Sequence, residues 1–545
     1  MEVYRAERLS SLSIICWGSK SSRREVSNGG MYMQVTMFAT IEVGSYSVNL
    51  NVFELSRKGG IKSIDHVTHR IELGKETYAE GRVSAQLVDE LCVIIRDMTQ
   101  IMAGYRIGDY RAVATSAIRE AKNSMIVLET IFQRTGIRIH ILSNSEQRFL
   151  GYKGIASRGD AFQKIIEKGT AILDVSGGSI QISLFDKDNL ITTQNVKLGS
   201  LRVRERLTVV ENETTHYEML VEELIRNEIV SFTKLHLKDR KISNVILIGN
   251  NFTDSILYNR EGVDSKVLTQ EEYMEWYRMI IGRSPIELAV KLGIPLEYAS
   301  LMIPTAIINK RLIQEMGAQS IWIPGIRLAD GVAYDYAEKS KIIKSEHNFD
   351  NDIVMAARNI GRRYAVSKNH TQQMSRLART VCSAMKRVHG LTDREQLLLE
   401  VAVQIHDCGK YISLSNVAEC SFNIIMSTEI IGLSHRERQM IALAVRYNTL
   451  PFDDYAAMNR IADLGDSDYI RVAKLTAILR LVNALDRSHM QKIDTMKASI
   501  KDNELILTIN TKKDFTLERG LVQDKLDFFE EVYSIRPVIK VKKII

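Results

Sequence analysis

The sequence predicts a duplicated α/β unit, an all-helical segment behind it and a small α+β tail, spread over 545 residues. Three observations predict it. A strand–turn–strand pattern with an acid closing its first strand occurs twice, at residues 38–54 and 170–187. Residues 345–495 read as entirely helical. Period-two alternation then returns in Leu505-Ile506-Leu507-Thr508-Ile509 and in the closing residues 538–545.

The second copy of the pattern is the plainer one. Thr170 to Asp174 is a buried apolar strand, Ser176 to Ser179 a small-residue turn, and Ile180, Ile182 and Leu184 alternate along the returning strand. Gly177 and Gly178 free the backbone to turn sharply and to bring N–H groups close to an anion. Setting Glu42 on Asp174, an offset of 132 residues (174 minus 42), aligns the copies without a gap through Glu54 and Asp186. Val43 then meets Val175, Ser47 meets Ser179, Val48 meets Ile180, Asn49 meets Gln181 and Phe53 meets Phe185.

Taken in order, residues 1–36 hold charges, serines and one short apolar piece, Ile14-Ile15-Cys16-Trp17. That piece is too short for a signal-peptide core, so a disordered extension is expected, with Met31, Met33 or Met37 as candidate starts. Residues 37–165 form the first α/β unit. Its hairpin is followed by strand character over Ile61–Leu73 and by a helix over Ser84–Ala103 with Leu87, Leu91, Ile94, Ile95 and Met98 on one face. A strand at Arg111–Thr115, a turn into a helix over Ser116–Asn123, a strand at Ile137–Leu142 and a helix from Ser145 complete it. Residues 166–340 form the second unit, with a long helix near 217–235, a strand at Asn244–Ile248 and helices to Gly331. Residues 345–495 are the helical domain and 496–545 the small C-terminal α+β segment.

Bulk composition narrows the class. A 45% apolar and 26% charged chain is ordinary for a soluble globular protein, and its length allows three or four domains. The net charge of +7 permits a polyanionic partner without pointing to a specific nucleic acid. The cysteines (16, 92, 382, 408 and 420) are odd in number and form no C-x-x-C, which leaves reduced cytoplasmic thiols as the expectation. No apolar run approaches the roughly 18–20 residues of a membrane span, so no membrane is expected.

With these motifs in order, the chain resembles the exopolyphosphatase and guanosine-pentaphosphate phosphohydrolase (Ppx/GppA) family of the actin-like, RNase H-like superfamily, from about residue 37 to the end. Ile41–Ser47 matches I-D-x-G-S-N-S, and Ala114–Asn123 matches T-x-x-L-R-x-A-x-N. Ile141–Gly154 matches I-S-G-x-E-E-A-x-L…G, Leu173–Ser179 matches D-I-G-G-G-S, and Lys197–Arg206 matches R-x-G-x-x-R-x-x-E. The resemblance implies that the two acid-tipped hairpins face each other across an interdomain cleft. It also implies Mg²⁺, a water that attacks the terminal phosphoryl group of polyphosphate or guanosine pentaphosphate, and a homodimer. Catalysis there is placement plus charge neutralisation. Carried over by position, Glu42 and Asp174 are the implied metal ligands and catalytic acids. Gly44, Ser45, Gly177, Gly178 and Ser179, with Arg119 and Lys197, are the implied phosphate contacts. A surface ion pair is the other reading of both cations.

The departures bear on activity. Glu146 takes the first glutamate of E-E-A, but Gln147 stands where the catalytic base is expected, and Gln181 stands where a further glutamate is expected. A neutral amide orients water but cannot accept its proton, and general-base help is typically worth about 10²–10⁴-fold. Ser176 replaces a glycine, Tyr46 an asparagine, and Asn250-Asn251-Phe252-Thr253 a Ser-Gly-Thr turn. In the helical domain His370, His406-Asp407 and Asp486 are laid out like the metal-binding HD phosphohydrolases. Cys420 and Asn483 stand where a histidine and an aspartate belong, which favours a structural HD-like domain. The leading expectation is an exopolyphosphatase-like phosphohydrolase. The alternative is a catalytically impaired regulatory protein that binds polyphosphate or (p)ppGpp. An ATP-dependent kinase and a hydrolase working through the HD-like domain rank below both.

Overall fold

The structure, a computed structural model, describes residues 23–26, 33–187, 189–210, 217–238, 240–249, 251–258, 266–345, 347–462 and 464–543. In the first unit the alternating residues pair into β1 (Arg23–Val26), β2 (Met33–Val43), β3 (Ser47–Ser56), β4 (Gly60–Arg70), β5 (Asp109–Ala114) and β6 (Ile139–Ile141). The strands lie in the order β4-β3-β2-β5-β6, with β1 antiparallel to the start of β2. Residues 23–26 and 33–36 thus belong to a sheet, which corrects the expectation of disorder through residue 36; residues 1–22 and 27–32, Met31 included, lie outside the described residues.

The second unit repeats the plan with β7 (Thr170–Val175), β8 (Ile180–Asp186), β9 (Asn189–Val196), β10 (Asn244–Ile248), β11 (Lys266–Thr269) and β12 (Ser320–Ile323). Its order is β11-β12-β10-β7-β8-β9, so with β1 and the edge strand β11 left out both sheets read third, second, first, fourth, fifth in chain order. The duplication extends to single residues. Glu42 pairs with Asn49 as Asp174 pairs with Gln181. Gly44 N donates to Ser47 O at 2.9 Å and Ser176 N to Ser179 O at 3.0 Å. The outer strand pair slips at Val52/Phe53 in one sheet and at Leu184/Phe185 in the other, at the same offset. β11 and β12, of four residues each, were not expected from the sequence; runs that short carry no readable period.

Helices cover the sheets. The helix Ala85–Gly104, capped by Ser84, buries Leu91, Ile95 and Met98 in the first core. Two helices join the halves, Asn144–Ala156 and Leu328–Lys339. They cross so closely at Gly331 that a Cβ there would lie 1.8 Å from Leu150 O. From the second helix Tyr336 stacks on Phe38 of β2 at 4.1 Å, returning the chain to the first sheet.

Helices fill residues 349–484, and their core is continuous with the second unit. Phe349, Ile353 and Ala357 share one apolar cluster with Tyr152, Phe185, Leu190 and Trp322. The tail forms β13 (Thr495–Lys501), β14 (Glu504–Thr511) and β15 (Arg536–Lys543), with β14 antiparallel to β13 and parallel to β15 through the helix Gln523–Tyr533. Among the described residues no helix is long and apolar enough to cross a membrane. Cys92, Cys382, Cys408 and Cys420 are free thiols; Cys16 lies outside the described residues.

Candidate active site

Both first strands end at the same place, the floor of a cleft of about 220 Å³ between the two sheets. Glu42 from β2 and Asp174 from β7 line it together with Gly44, Ser45, Ser176 and Gly177 of the two turns. Burial and the facing Asp174 charge push the Glu42 carboxyl up to about 7, with Arg327 pulling the other way and Asp330 adding to the rise. Burial pushes Asp174 up to about 7 as well, moderated by a hydrogen bond from Ser176 Oγ (3.2 Å) and by the Arg148 charge. Two acids that both resist ionisation next to each other form a site short of positive charge.

The turns are fixed from both units. Ser45 Oγ lies 2.7 Å from Tyr78 OH and 2.9 Å from Ser116 Oγ. Gly178 packs against this triad so tightly that a Cβ would meet Tyr78 OH at 2.2 Å and Ser116 Oγ at 2.4 Å. Arg202 holds the same turn, donating Nε to Gly178 O at 2.9 Å while pairing with Glu120 at 2.8 Å.

Other expected site residues are placed differently. Gln147 lines the cleft, and Arg119 donates to Leu142 O (2.6 Å) and Gln147 Oε1 (3.4 Å), so the arginine orients the amide and is not among the cleft-lining residues. Glu146 points away. Its carboxylate accepts from Ser143 N at 2.9 Å in a capping box and lies 3.3 Å from His140. Against the upward push of burial, His140 and Ser143 hold that carboxyl below its ordinary value. Gly178 and Ser179 support the turn from outside the cleft lining, and Lys197 is exposed at the end of β9. Gln181 is buried behind Asp174, at 2% exposure, with neither amide atom hydrogen-bonded among the described residues. Asn250 lies outside the described residues, while Phe252 lines the cleft.

Comparison with known proteins decides the family. Residues 52–340 match the Ppx/GppA phosphatase family, and residues 354–529 match domain III of the Ppx/GppA phosphatases. The chain belongs to the Ppx/GppA phosphatase family. The bifunctional 3-dehydroquinate synthase/phosphatase of Fusobacterium nucleatum is 23% identical over 220 residues, which are 39% of this chain and 32% of that protein. The chain thus spans about a third of that relative's length. An exopolyphosphatase structure from Cytophaga hutchinsonii aligns with TM-score 0.50 and 14% identity over 57% of this chain and 100% of its own. The Aquifex aeolicus Ppx/GppA family member aligns with TM-score 0.47 and 18% identity over 58% of this chain and 100% of its own. At 14% identity the Cytophaga likeness is one of fold, the actin-like two-domain α/β fold.

Two groups in this Ppx/GppA chain were not read from sequence. Arg327, just past the C-terminal end of β12, is the one Lys or Arg lining the cleft among the described residues. Its signal was position, since ligands of α/β sheets gather beyond the strands' carboxyl ends. Arg148, the residue after Gln147, pairs with Glu429 of the helical domain, and Asn144 Nδ2 donates to the same carboxylate at 2.9 Å. Domain III is thereby tied to the helix that carries Gln147. Within domain III, His370 Nδ1 lies 2.7 Å from Asp486 Oδ2 and His406 Nε2 lies 3.4 Å from Asp407 Oδ2. The structure brings these four HD-like residues together, apart from the cleft.

Proposed function

We propose that the cleft binds the terminal phosphates of inorganic polyphosphate or guanosine pentaphosphate, and that the chain is a phosphoric-anhydride hydrolase of the exopolyphosphatase type. The carrying observation is the symmetry of the site: two acids at equivalent strand ends, each followed by a Ser/Gly turn, converge on one cleft.

The residues present fit Mg²⁺. Glu42 and Asp174 offer oxygen donors only, the set a hard cation prefers, and the mutual charge that raises Glu42 is what a dication would relieve. Bound there, the cation would neutralise phosphate charge and polarise the terminal phosphoryl group. The turn residues Gly44, Ser45, Ser176 and Gly177 would orient the phosphate chain, with Arg327 adding positive charge at the cleft wall. Gln147, held by Arg119, would position the attacking water. Its amide cannot take the proton, so the proton goes to a carboxylate oxygen of Glu42 or Asp174. A homodimer and a cytoplasmic setting accompany this reading.

A second reading is favoured by Gln147 and Gln181: a protein that binds the same polyanions with impaired turnover. Phosphate release from long-chain polyphosphate with Mg²⁺, compared among wild type, Asp174→Asn and Gln147→Glu, separates the two. Wild-type turnover abolished by Asp174→Asn supports the hydrolase. Binding without turnover, with hydrolysis gained by Gln147→Glu, supports the second reading. Neither binding nor turnover in any of the three overturns both.

A further inference from the structure

Three segments of the helical domain converge on one buried point. The first turn of the helix Lys368–Ala384 brings His370, the junction after the helix Asp393–Ile405 brings His406 and Asp407, and the loop after the helix Asp466–Ala484 brings Asp486 and His489. One ligand atom each from His370, Asp407 and His489 lies within 4.8 Å of the other two.

Hydrogen bonding assigns the ring nitrogens. His406 Nδ1 lies 2.9 Å from Val403 O, a carbonyl that can only accept, so Nδ1 carries a proton and Nε2 is the nitrogen turned toward Asp407. That Nε2 belongs to a residue only 2% exposed, makes no hydrogen bond among the described residues, and lies 3.4 Å from Asp407 Oδ2. His370 is arranged the same way. Its Nδ1 lies 2.7 Å from Asp486 Oδ2, and its Nε2 lies 3.2 Å from Asn483 Oδ1. Asp486 is itself steadied by Gln491 N at 2.9 Å. A histidine whose second nitrogen is pinned by a carboxylate or a backbone carbonyl is the arrangement that orients a metal ligand. His489 completes the ring: held at φ +56°, a strained conformation for a non-glycine residue, it lays its imidazole on that of His370 with centroids 3.6 Å apart. The competing cation is Lys410, whose Nζ is 2.5 Å from Asp407 Oδ2.

We propose that His370, Asp407 and His489 form a site for a divalent transition-metal ion, with Asp486 orienting His370 and with His406 packed beside Asp407. Two imidazole nitrogens and one carboxylate suit zinc, cobalt or nickel and not magnesium, which separates this site chemically from the two-carboxylate cleft. The ion clamps three helical segments that are far apart in sequence. Asp486, and not His489, stood among the residues expected from sequence; the structure gives the aspartate the supporting role. Asn483 and Cys420, which spoke against a metal, are not needed as ligands.

Cobalt(II) added to the metal-stripped full chain tests this, because its visible d–d absorption reports nitrogen ligation directly. The measurement is made in the Glu42→Gln/Asp174→Asn background, so that failure of the cleft reading and failure of this one remain distinct. The expected result is an intense band saturating at one ion per chain and bleached by zinc. It is lost in His370→Gln and in His489→Gln, with affinity lowered by about 10–100-fold in Asp486→Asn. Variants are checked for native far-UV circular dichroism without metal. Failure of the parent protein to bind cobalt or zinc overturns the proposal, as does a band unchanged in a His370→Gln/His489→Gln double variant.

Discussion

The β2–β3 and β7–β8 hairpins share register, turn hydrogen bond and bulge, yet treat the position across from the acid in opposite ways. In the first, Asn49 faces the cleft; its Nδ2 donates to Ser47 Oγ at 3.3 Å and its Oδ1 accepts from Thr68 Oγ1 at 2.9 Å. In the second, Gln181 is buried with both amide atoms unpaired among the described residues, and its neighbour Asn195 has an unpaired Oδ1 as well. Duplicated backbone geometry survives because any slip of register turns a whole strand inside out. Side chains on that backbone are free to diverge. The first hairpin supplies polar lining, and the second supplies an acid over a poorly satisfied floor.

The largest expected effect compares the acids themselves. Asp174→Asn lowers phosphate release by ~10³-fold and Glu42→Gln by ~10²-fold, since Glu42 is one methylene longer and already balanced by Arg327. Equal losses in steady-state rates would make the hairpins chemically equivalent. Next comes Gln147→Glu, expected to raise turnover by about 10²-fold by restoring a base beside Arg119. An unchanged rate would remove Gln147 as the cause of slow chemistry.

Acid titration sharpens the comparison further. Both carboxyls have folded values near 7, above their unfolded values, so the metal-free native state holds more protons than the unfolded chain between about pH 4 and 7. Stability of the metal-free protein therefore falls as pH rises through that window. Urea unfolding of metal-free protein at several pH values checks this, and Glu42→Gln should flatten the dependence. The smallest effect is at the floor. Gln181→Met should raise the urea midpoint by the equivalent of ~1 kcal/mol, and Asn49→Met should lower it by a similar amount. Loss of stability in Gln181→Met would mean that the buried amide is satisfied after all.

Much of this was legible in sequence because local chemistry encodes it. Alternating apolar residues around a small-residue turn specify a hairpin, and the 132-residue offset that aligned Glu42 with Asp174 reappears in the pairing of every strand of those hairpins. The direction of Glu146 was legible too, since Ser143-x-x-Glu146 is a capping box, although the family pattern drew attention to its place in the E-E-A motif. The contacts of Arg148 with Glu429, of Tyr336 with Phe38 and of His370 with His489 were not legible. They join residues between about 119 and 298 positions apart, and no local spacing encodes such a meeting. Lys197, exposed at the end of β9, shows a related limit: a basic residue at a strand end reads the same in sequence whether it faces a cleft or solvent.

The shared core of the second α/β unit and the helical domain has a practical side. Cutting this protein near residue 345 would strip Phe349, Ile353 and Ala357 from Tyr152, Phe185 and Trp322, leaving an apolar wound on the shortened product. Such a fragment is expected to aggregate. In this member of the family the helices behind the cleft have become part of what the cleft needs in order to exist.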